Sequence, residues 1–389
     1  MSQPSEGLLA GVTVVDLTTV GPGARCAAML ADLGADVIKV GPPASADRIV
    51  PKDWAYSAGR GTRRIGIDLK HAEGVRALLA LVAQADVVLE GMRPGVADQL
   101  GVGFAAARDA NSSIVYASLT GYGQDGPYAQ RAGHDLNYQA IAGTLWAGGR
   151  DADGVPTLPG ATFADSAGGG MHAALSICAA LLKVRSGPGD PVHLDVAAAD
   201  GVISLASLLL DEHLATGAEP GPGHDVLTGG YACYGIYRCA DGAFVSVGAI
   251  EPRFFANLCT LLDLPHLADV QYDDDRQDEV HSALADAFAT RSRDEWTDLL
   301  ADKDTCVAPV LTVAEAANDS HLVARSGRAR ATTANGTTFE QVGRVLAGAV
   351  REAEVTAVTP TDSHARELLS VAGIAEIDID RLIEAGVIS

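Results

Sequence analysis

Residues 12–40 read VTVVDLTTVGPGARCAAMLADLGADVIKV, and the fold is decided there. Val12–Leu17 is rich in β-branched side chains, Ala24–Leu33 repeats apolar residues at helical spacing, and Ala35–Val40 is strand-like again. A turn at Val20-Gly21-Pro22-Gly23 joins the first strand to the helix. Strand, G-x-G turn, helix and second strand make the outline of a dinucleotide-binding unit. Two residues oppose a nicotinamide cofactor. Cys26 stands where a third glycine would pack, and Gly41 stands where an acid would hold the ribose 2′-hydroxyl. The stretch predicts a Rossmann-like βαβ unit that does not bind NAD.

Outward from this unit the alternation continues. Gly66–Leu69, Asp86–Leu89 and Ile114–Leu119 read as strands and 72–84 as a helix, which predicts a parallel sheet flanked by helices. Ala140–Ala147 and Gly168–Val184 are Ala-rich helical stretches, and His193–Val196 is a further strand. The sequence TGAEPGPG at 216–223 is the clearest linker. Beyond it, Tyr231–Arg238 and Ala243–Val247 flank Ala240-Asp241-Gly242, a hairpin signal, and helices follow over 252–262, 281–289 and 293–300. The predicted class is α/β: a large Rossmann-like domain with a parallel sheet over 1–200, a linker over 201–223, and a smaller α+β domain over 224–325. The remaining segment, 326–389, ends in two short helices that return to the large domain or wrap a partner subunit.

The chain has 389 residues, of which 48% are hydrophobic, 20% charged and 5% aromatic, enough to bury a core built from small aliphatic side chains. Its net charge of −22, from 28 basic and 50 acidic residues, opposes binding to nucleic acid or anionic lipid. The longest apolar runs, Ala173–Leu182 and Val202–Leu210, are too short to span a bilayer, so no membrane insertion is expected. Met1–Gly7 is polar and carries no export signal, which points to the cytoplasm. Six cysteines show neither CxxC nor His-rich spacing, so no metal site and no disulfide framework is expected, and they read as small buried hydrophobes. Any anionic ligand must find a local basic patch, and Arg60, Arg63, Arg64 and Lys70 form one in sequence.

Three short motifs place reactive side chains at element ends. In Gly133-His134-Asp135-Leu136-Asn137-Tyr138, His134, Asn137 and Tyr138 fall on one helical face. Phe163-Ala164-Asp165-Ser166-Ala167 followed by Gly168, Gly169 and Gly170 precedes a helix without charge until Lys183. There Asp165 reads as an N-cap, and the glycines allow a ligand to approach the backbone. Glu251 stands before Pro252 at a strand-to-helix junction. One histidine and two carboxylates at element termini suit general acid/base chemistry.

RAGHDLNY at 131–138, FADSAGGG at 163–170 and VGAIEPRFF at 247–255 resemble the corresponding motifs of α-methylacyl-CoA racemases, within the family III CoA-transferase superfamily. Further similarity lies in 16–40, IDLK at 67–70, EGMRPGV at 90–96, TGYGQDGPYAQ at 120–130 and CVAPVL at 306–311, and it weakens after about residue 325. The resemblance implies two interlocked chains, with a site between the large domain of one subunit and the small domain of the other. It implies inversion of the carbon α to a CoA thioester through an enolate. By motif, His134 and Asp165 would be the acid/base groups on opposite faces of that carbon, and Glu251 would orient or charge His134. The CoA moiety would lie against Ile67, Asp68, Leu69 and Lys70, against Gly91, Met92 and Arg93, and against Gly133, Asp135, Leu136, Asn137 and Tyr138. No cofactor beyond that CoA moiety, and no metal, is implied. Backbone N–H groups near Asp165 would hold the enolate oxygen.

The chain also departs from that pattern. Such racemases carry Asn four residues before the catalytic Asp, where this chain has Ala161, and two of their CoA-site arginines fall at Pro42 and Gln99 here. Three other readings compete with racemisation: a CoA-transferase with Asp165 as nucleophile, a CoA-ester-binding protein without catalysis, and, least favoured, a nicotinamide-dependent dehydrogenase.

Overall fold

A computed structural model describes residues 6–43, 52–325 and 327–389, so the first five residues of the polar N-terminal stretch lie outside the described residues. The fold is mixed α/β, and its contacts divide it into two compact units. The larger comprises Met1–Ala142, Pro159–Ser207 and Asp319–Ser389, and the smaller Gly143–Leu158 and Leu208–Asn318.

The larger unit is built on a six-stranded parallel sheet of β1 (Thr13–Asp16), β2 (Asp36–Gly41), β3 (Thr62–Gly66), β4 (Val87–Glu90), β5 (Val115–Thr120) and β6 (Val192–Ala197). Their order is β3-β2-β1-β4-β5-β6, so the winding reverses between β1 and β4. Strands buried on both faces need apolar residues throughout, which is why Val14 and Val15, Val87 and Val88, or Val115 and Tyr116 follow one another. Val14, Val87 and Val115 pack with Leu30, Ile177 and Leu181 of the helices Gly21–Asp32 and His172–Ser186. Val15, Val88 and Tyr116 pack with Leu78 and Leu81 of the helix Ala72–Val82, and with Leu368 and Leu382 from the C-terminal helices Ala365–Val371 and Glu376–Glu384. Truncating one such leucine to alanine costs about 2–5 kcal/mol.

Several elements differ from the sequence reading. β3 lies upstream of Gly66–Leu69, because Arg63 in the strand is neutralised by Asp36 and Glu367 across the edge. The helical stretch expected over 140–147 breaks at Ala142–Gly143, where Gly143 adopts φ +79° between the helices Asp135–Ile141 and Thr144–Ala147. The apolar run Val202–Leu210, read as a buried helix within the linker, is divided between the helices Ala198–Leu205 and Ser207–Thr216, and its Leu205 and Leu208 are exposed. The apolar helix is also longer than the sequence reading allowed. Ala164–Ser186 is continuous over 23 residues and holds an 18-residue window of mean hydropathy 1.4, long and apolar enough to cross a membrane by length and composition. Its Ala173, Ile177, Ala180 and Leu181 are buried against the sheet.

The smaller unit carries an antiparallel sheet of β7 (Tyr234–Arg238), β8 (Phe244–Gly248) and β9 (Val307–Pro309). The hairpin pairs Arg238 with Phe244 around Gly242 at φ +83°. Phe255, Leu258, Leu284, Phe288 and Trp296 from three helices fill its core, and the Trp296 indole N–H donates to the Phe288 carbonyl at 2.8 Å. Cys26, Cys233, Cys239 and Cys259 are buried as the sequence suggests, whereas Cys178 is only partly covered and Cys306 is exposed.

A second small sheet in the larger unit, β10 (Arg328–Thr332), β11 (Thr338–Val342) and β12 (Glu354–Thr356), was not foreseen from sequence. Arg60 ties it to the main sheet. Its guanidinium grips Asp32 bidentately at 2.7 Å and donates to the carbonyls of Val342 and Gly343.

Candidate active site

Ligand crevices of doubly wound sheets form beyond the carboxyl ends of the strands, near the point where the winding reverses. Here the loop after β1 is fixed by Asp16, which is fully buried. One of its oxygens accepts from the Thr18 backbone N–H at 2.8 Å and the other pairs with Lys39. Among the clefts at that edge, two are lined by the motif residues. One, of about 440 Å³, is lined by Thr19, Pro42, Ile67, Asp68, Leu69, Lys70 and Met92. The second, of about 290 Å³, is lined by Gly91, Met92, Arg93, Arg131, Gly133, His134 and Tyr138. Met92 belongs to both, so the loops after β3 and β4 and the turn before the helix Asp135–Ile141 border adjoining clefts.

Not every basic residue of the sequence cluster faces a ligand. Arg60 is 3% exposed in its ion pair with Asp32, and Arg63 is bound to Asp36 and Glu367. Both brace the sheet, while Lys70 stays on the cleft. Arg131 was not singled out from sequence. It lines the second cleft with its guanidinium 3.7 Å from the centre of the Tyr128 ring, a cation–π seat that holds the charge in place. Pro42 lines the larger cleft, whereas Gln99 is exposed at the end of a short helix and lines neither.

His134 is the N-cap of the helix Asp135–Ile141, and its backbone N–H donates to Asn137 Oδ1 at 3.0 Å. That bond makes Asn137 a cap partner. Tyr138 is buried, and its hydroxyl donates to the Gly133 carbonyl while its ring meets Tyr122 edge-on at 5.0 Å. Burial, with Tyr122 and two carboxylates nearby, pushes the Tyr138 hydroxyl up to about 12. Leu136 is exposed and lines neither cleft.

Asp165 stands in the first turn of a π-helical segment, Ala164–Met171, that runs into the helix His172–Ser186. It is not the N-cap expected from sequence, because Phe163 takes that place with helical backbone angles. Its backbone N–H donates to Asp135 Oδ1 at 2.8 Å, and Ser166 N–H donates to the Thr162 carbonyl at 2.9 Å. These two N–H groups are therefore spent inside the protein rather than left for an oxyanion. Burial first, and then the Asp135 charge, raise the Asp165 carboxyl above its usual range, with Arg25 and His134 opposing. Arg25 reaches the same neighbourhood from the helix Gly21–Asp32 and donates to Thr162 Oγ1 at 2.9 Å. The glycine run has a packing role as well. A Cβ on Gly168 would meet the Ala198 carbonyl and Val202, and one on Gly169 would meet Pro22, so these glycines admit neighbouring helices rather than a ligand.

Glu251 belongs to the smaller unit, as N-cap residue before Pro252 in the helix Pro252–Leu261. It is exposed, and its charge contributes to raising the Tyr272 hydroxyl and the Cys306 thiol, after burial. The larger unit thus brings together His134 and Asp165, with Asp135 between their backbones and two arginine-bearing loops beside them.

The model of CoA-transferase family III matches residues 9–365, well past the point where motif similarity fades. The chain is 37% identical over 319 residues to alpha-methylacyl-CoA racemase of Homo sapiens, covering 80% of each chain. It is 33% identical over 340 residues to acetyl-CoA:oxalate CoA-transferase of Acetobacter aceti, covering 82% of this chain and 85% of that one. Among solved structures, a CAIB/BAIF family protein from Brucella suis superposes with a TM-score of 0.74 at 27% identity, over 91% of this chain and 97% of the other.

Proposed function

The chain belongs to CoA-transferase family III, and on that footing we propose that it inverts the α-carbon of a 2-methylacyl-CoA or another 2-substituted acyl-CoA. The observation that carries this reading is the hydrogen bond from the Asp165 backbone N–H to Asp135, the chain neighbour of His134, at 2.8 Å, which holds the two acid/base candidates in one place. A thioester acidifies its α proton. One group takes that proton, the C–H electron pair delocalises onto the thioester oxygen as an enolate, and the other group returns a proton to the opposite face. Each such positioned acid or base contributes about 10²–10⁴-fold. In this reading Lys70, Arg93 and Arg131 offer positive charge to CoA. No group beyond the CoA moiety of the substrate is needed.

The reading includes a homodimer. It is supported by apolar side chains left in the open on the long helix of the larger unit, where Leu175 is 71% and Leu182 69% exposed.

A second reading is favoured by the likeness to a CoA-transferase. There the Asp165 carboxylate attacks the thioester carbonyl, CoA thiolate leaves, and a mixed anhydride forms before CoA returns to the Asp165 carbonyl. Transfer needs no second proton relay, so the placement of His134 next to the residue that holds the Asp165 backbone favours the first reading. Incubation with a pure 2R-methylacyl-CoA in D₂O separates them. Racemisation predicts α-deuterium and both epimers. Exchange of CoA onto a free acid without α-deuterium overturns it, and tight binding without either reaction assigns the chain to a non-catalytic role.

A further inference from the structure

We propose that Asp135 is a positioning residue of the proton-transfer site, a strut that joins the backbone of Asp165 to the helix whose cap is His134. The proposal rests on the reading of His134 and Asp165 as the two acid/base groups. By resemblance Asp135 belongs with the residues against CoA, but both of its oxygens are engaged within the protein. Oδ1 accepts the Asp165 backbone N–H at 2.8 Å, and Oδ2 accepts from the Gln139 side chain at 2.6 Å. Gln139 is itself buried, so the carboxylate is anchored one helical turn further on. Each oxygen keeps a second lone pair, but these two bonds fix the carboxylate in place between the Asp165 backbone and its own helix.

The strut spans 30 residues of sequence in one side chain. Asp135 follows His134 directly, so consecutive Cα atoms about 3.8 Å apart link the histidine to the residue that holds Asp165. The bond from Ser166 N–H to the Thr162 carbonyl is local and does not set the place of Asp165 relative to His134. Proton transfer through an enolate needs both groups at short range on opposite sides of one carbon. A displacement of about 1 Å costs on the order of 100-fold in rate. Among the described residues, Asp135 makes a direct side-chain link between the two motifs.

The same carboxylate places a negative charge beside Asp165. The groups that act on Asp165 are Asp135 and His134 from the helix Asp135–Ile141 and its cap, and Arg25 from the helix Gly21–Asp32; Tyr138, also on the first of these helices, faces it as a neutral hydroxyl. Asp200 on the helix Ala198–Leu205 and Asp195 on β6, elements also packed against this segment, are not among them. Burial makes ionised Asp165 costly, Asp135 adds to that cost, and Arg25 and His134 reduce it.

Asp135→Asn keeps an acceptor for the Asp165 N–H and removes the charge, whereas Asp135→Ala removes both. The test follows the Asp165 carboxyl by ¹³C NMR titration of the full chain, assigned with Asp165→Asn, alongside kcat, KM and thermal melting for each variant. Asp135→Asn is expected to titrate Asp165 at lower pH and to shift the acid limb of kcat/KM the same way. Asp135→Ala is expected to lose about 10- to 100-fold in kcat with KM little changed. If Asp135→Ala does not fold, Gln139→Met, which frees Oδ2 alone, is expected to lower kcat by a smaller factor at constant KM. A rise in KM at constant kcat, with Asp165 titrating as in the parent, overturns the proposal and returns Asp135 to the CoA contacts. A lower melting point with titration and kcat unchanged also overturns it. If the parent enzyme neither exchanges nor epimerises while the titration still shifts, the functional reading falls, and the charge coupling of Asp135 to Asp165 stands by itself.

Discussion

Glu90 ends β4 with a carboxylate that is 3% exposed, and it shapes the loop beside both clefts by accepting the Met92 backbone N–H at 2.7 Å. Burial raises its ionisation above the usual 4.5, with Asp98 adding to the effect and the Ser118 and Met92 hydrogen bonds opposing. The folded state therefore holds its proton to higher pH than the unfolded chain. The stability this group contributes is present in full below 4.5 and is lost as pH rises through the folded-state value. Glu90→Gln is expected to raise the Tm more at pH 8 than at pH 4. Each tenfold change in acidity is about 1.4 kcal/mol, and about 1 kcal/mol moves the Tm of a domain this large by roughly 2–4 °C. A Tm difference that does not vary with pH contradicts this account of Glu90. Residue identity alone singled out His134, Asp165 and Glu251 as candidates because polar side chains at the ends of apolar elements stand out in a sequence. It did not show that Asp135 and Arg60 are internal partners, because each is held by a residue distant in the chain, at Asp165 and at Asp32.

The helix Ala198–Leu205 crosses the π-helical segment Ala164–Met171 at a distance that only glycine permits. A Cβ on Gly201 would run into the Gly168 backbone, where no side chain can give way. Gly201→Ala is expected to destabilise the protein by about 1–3 kcal/mol, read as a lower urea midpoint at unchanged slope. A midpoint equal to that of the parent would mean that the crossing is loose. Because this segment carries Asp165, the same variant is expected to lose activity before it unfolds. The main strands were legible because Val and Ile mark buried parallel strands with little ambiguity. β10 was not, since its alternation is carried by Ala329 and Ala331 between arginines and alanine gives a weak apolar signal. The π-helical turn was hidden for another reason. Its backbone follows from packing against the helices at Gly21–Asp32 and Ala198–Leu205, and no local preference in ADSAGGG announces it.

For the whole chain, a net charge of −22 makes each buried cation a structural decision. Arg60 joins the first helix of the sheet to β11 and the following turn, and it has no solvent-exposed alternative. Arg60→Met leaves Asp32 buried beside Arg344 alone and is expected to cost about 3–5 kcal/mol. Amide exchange should then quicken over 328–356 while the smaller unit keeps the protection of the parent. Uniform loss of protection would show that the two units unfold as one. The chemistry of the site rests on a narrower set of groups. The measurement that tests it most directly is the stereochemical course of α-proton exchange in D₂O for His134→Gln and Asp165→Asn, each offered both epimers of one 2-methylacyl-CoA. With two bases on opposite faces, both variants lose epimerisation, and each still washes deuterium into one epimer only, a different epimer for each variant. Retention of epimerisation by either variant, or exchange of the same epimer by both, contradicts the two-base account.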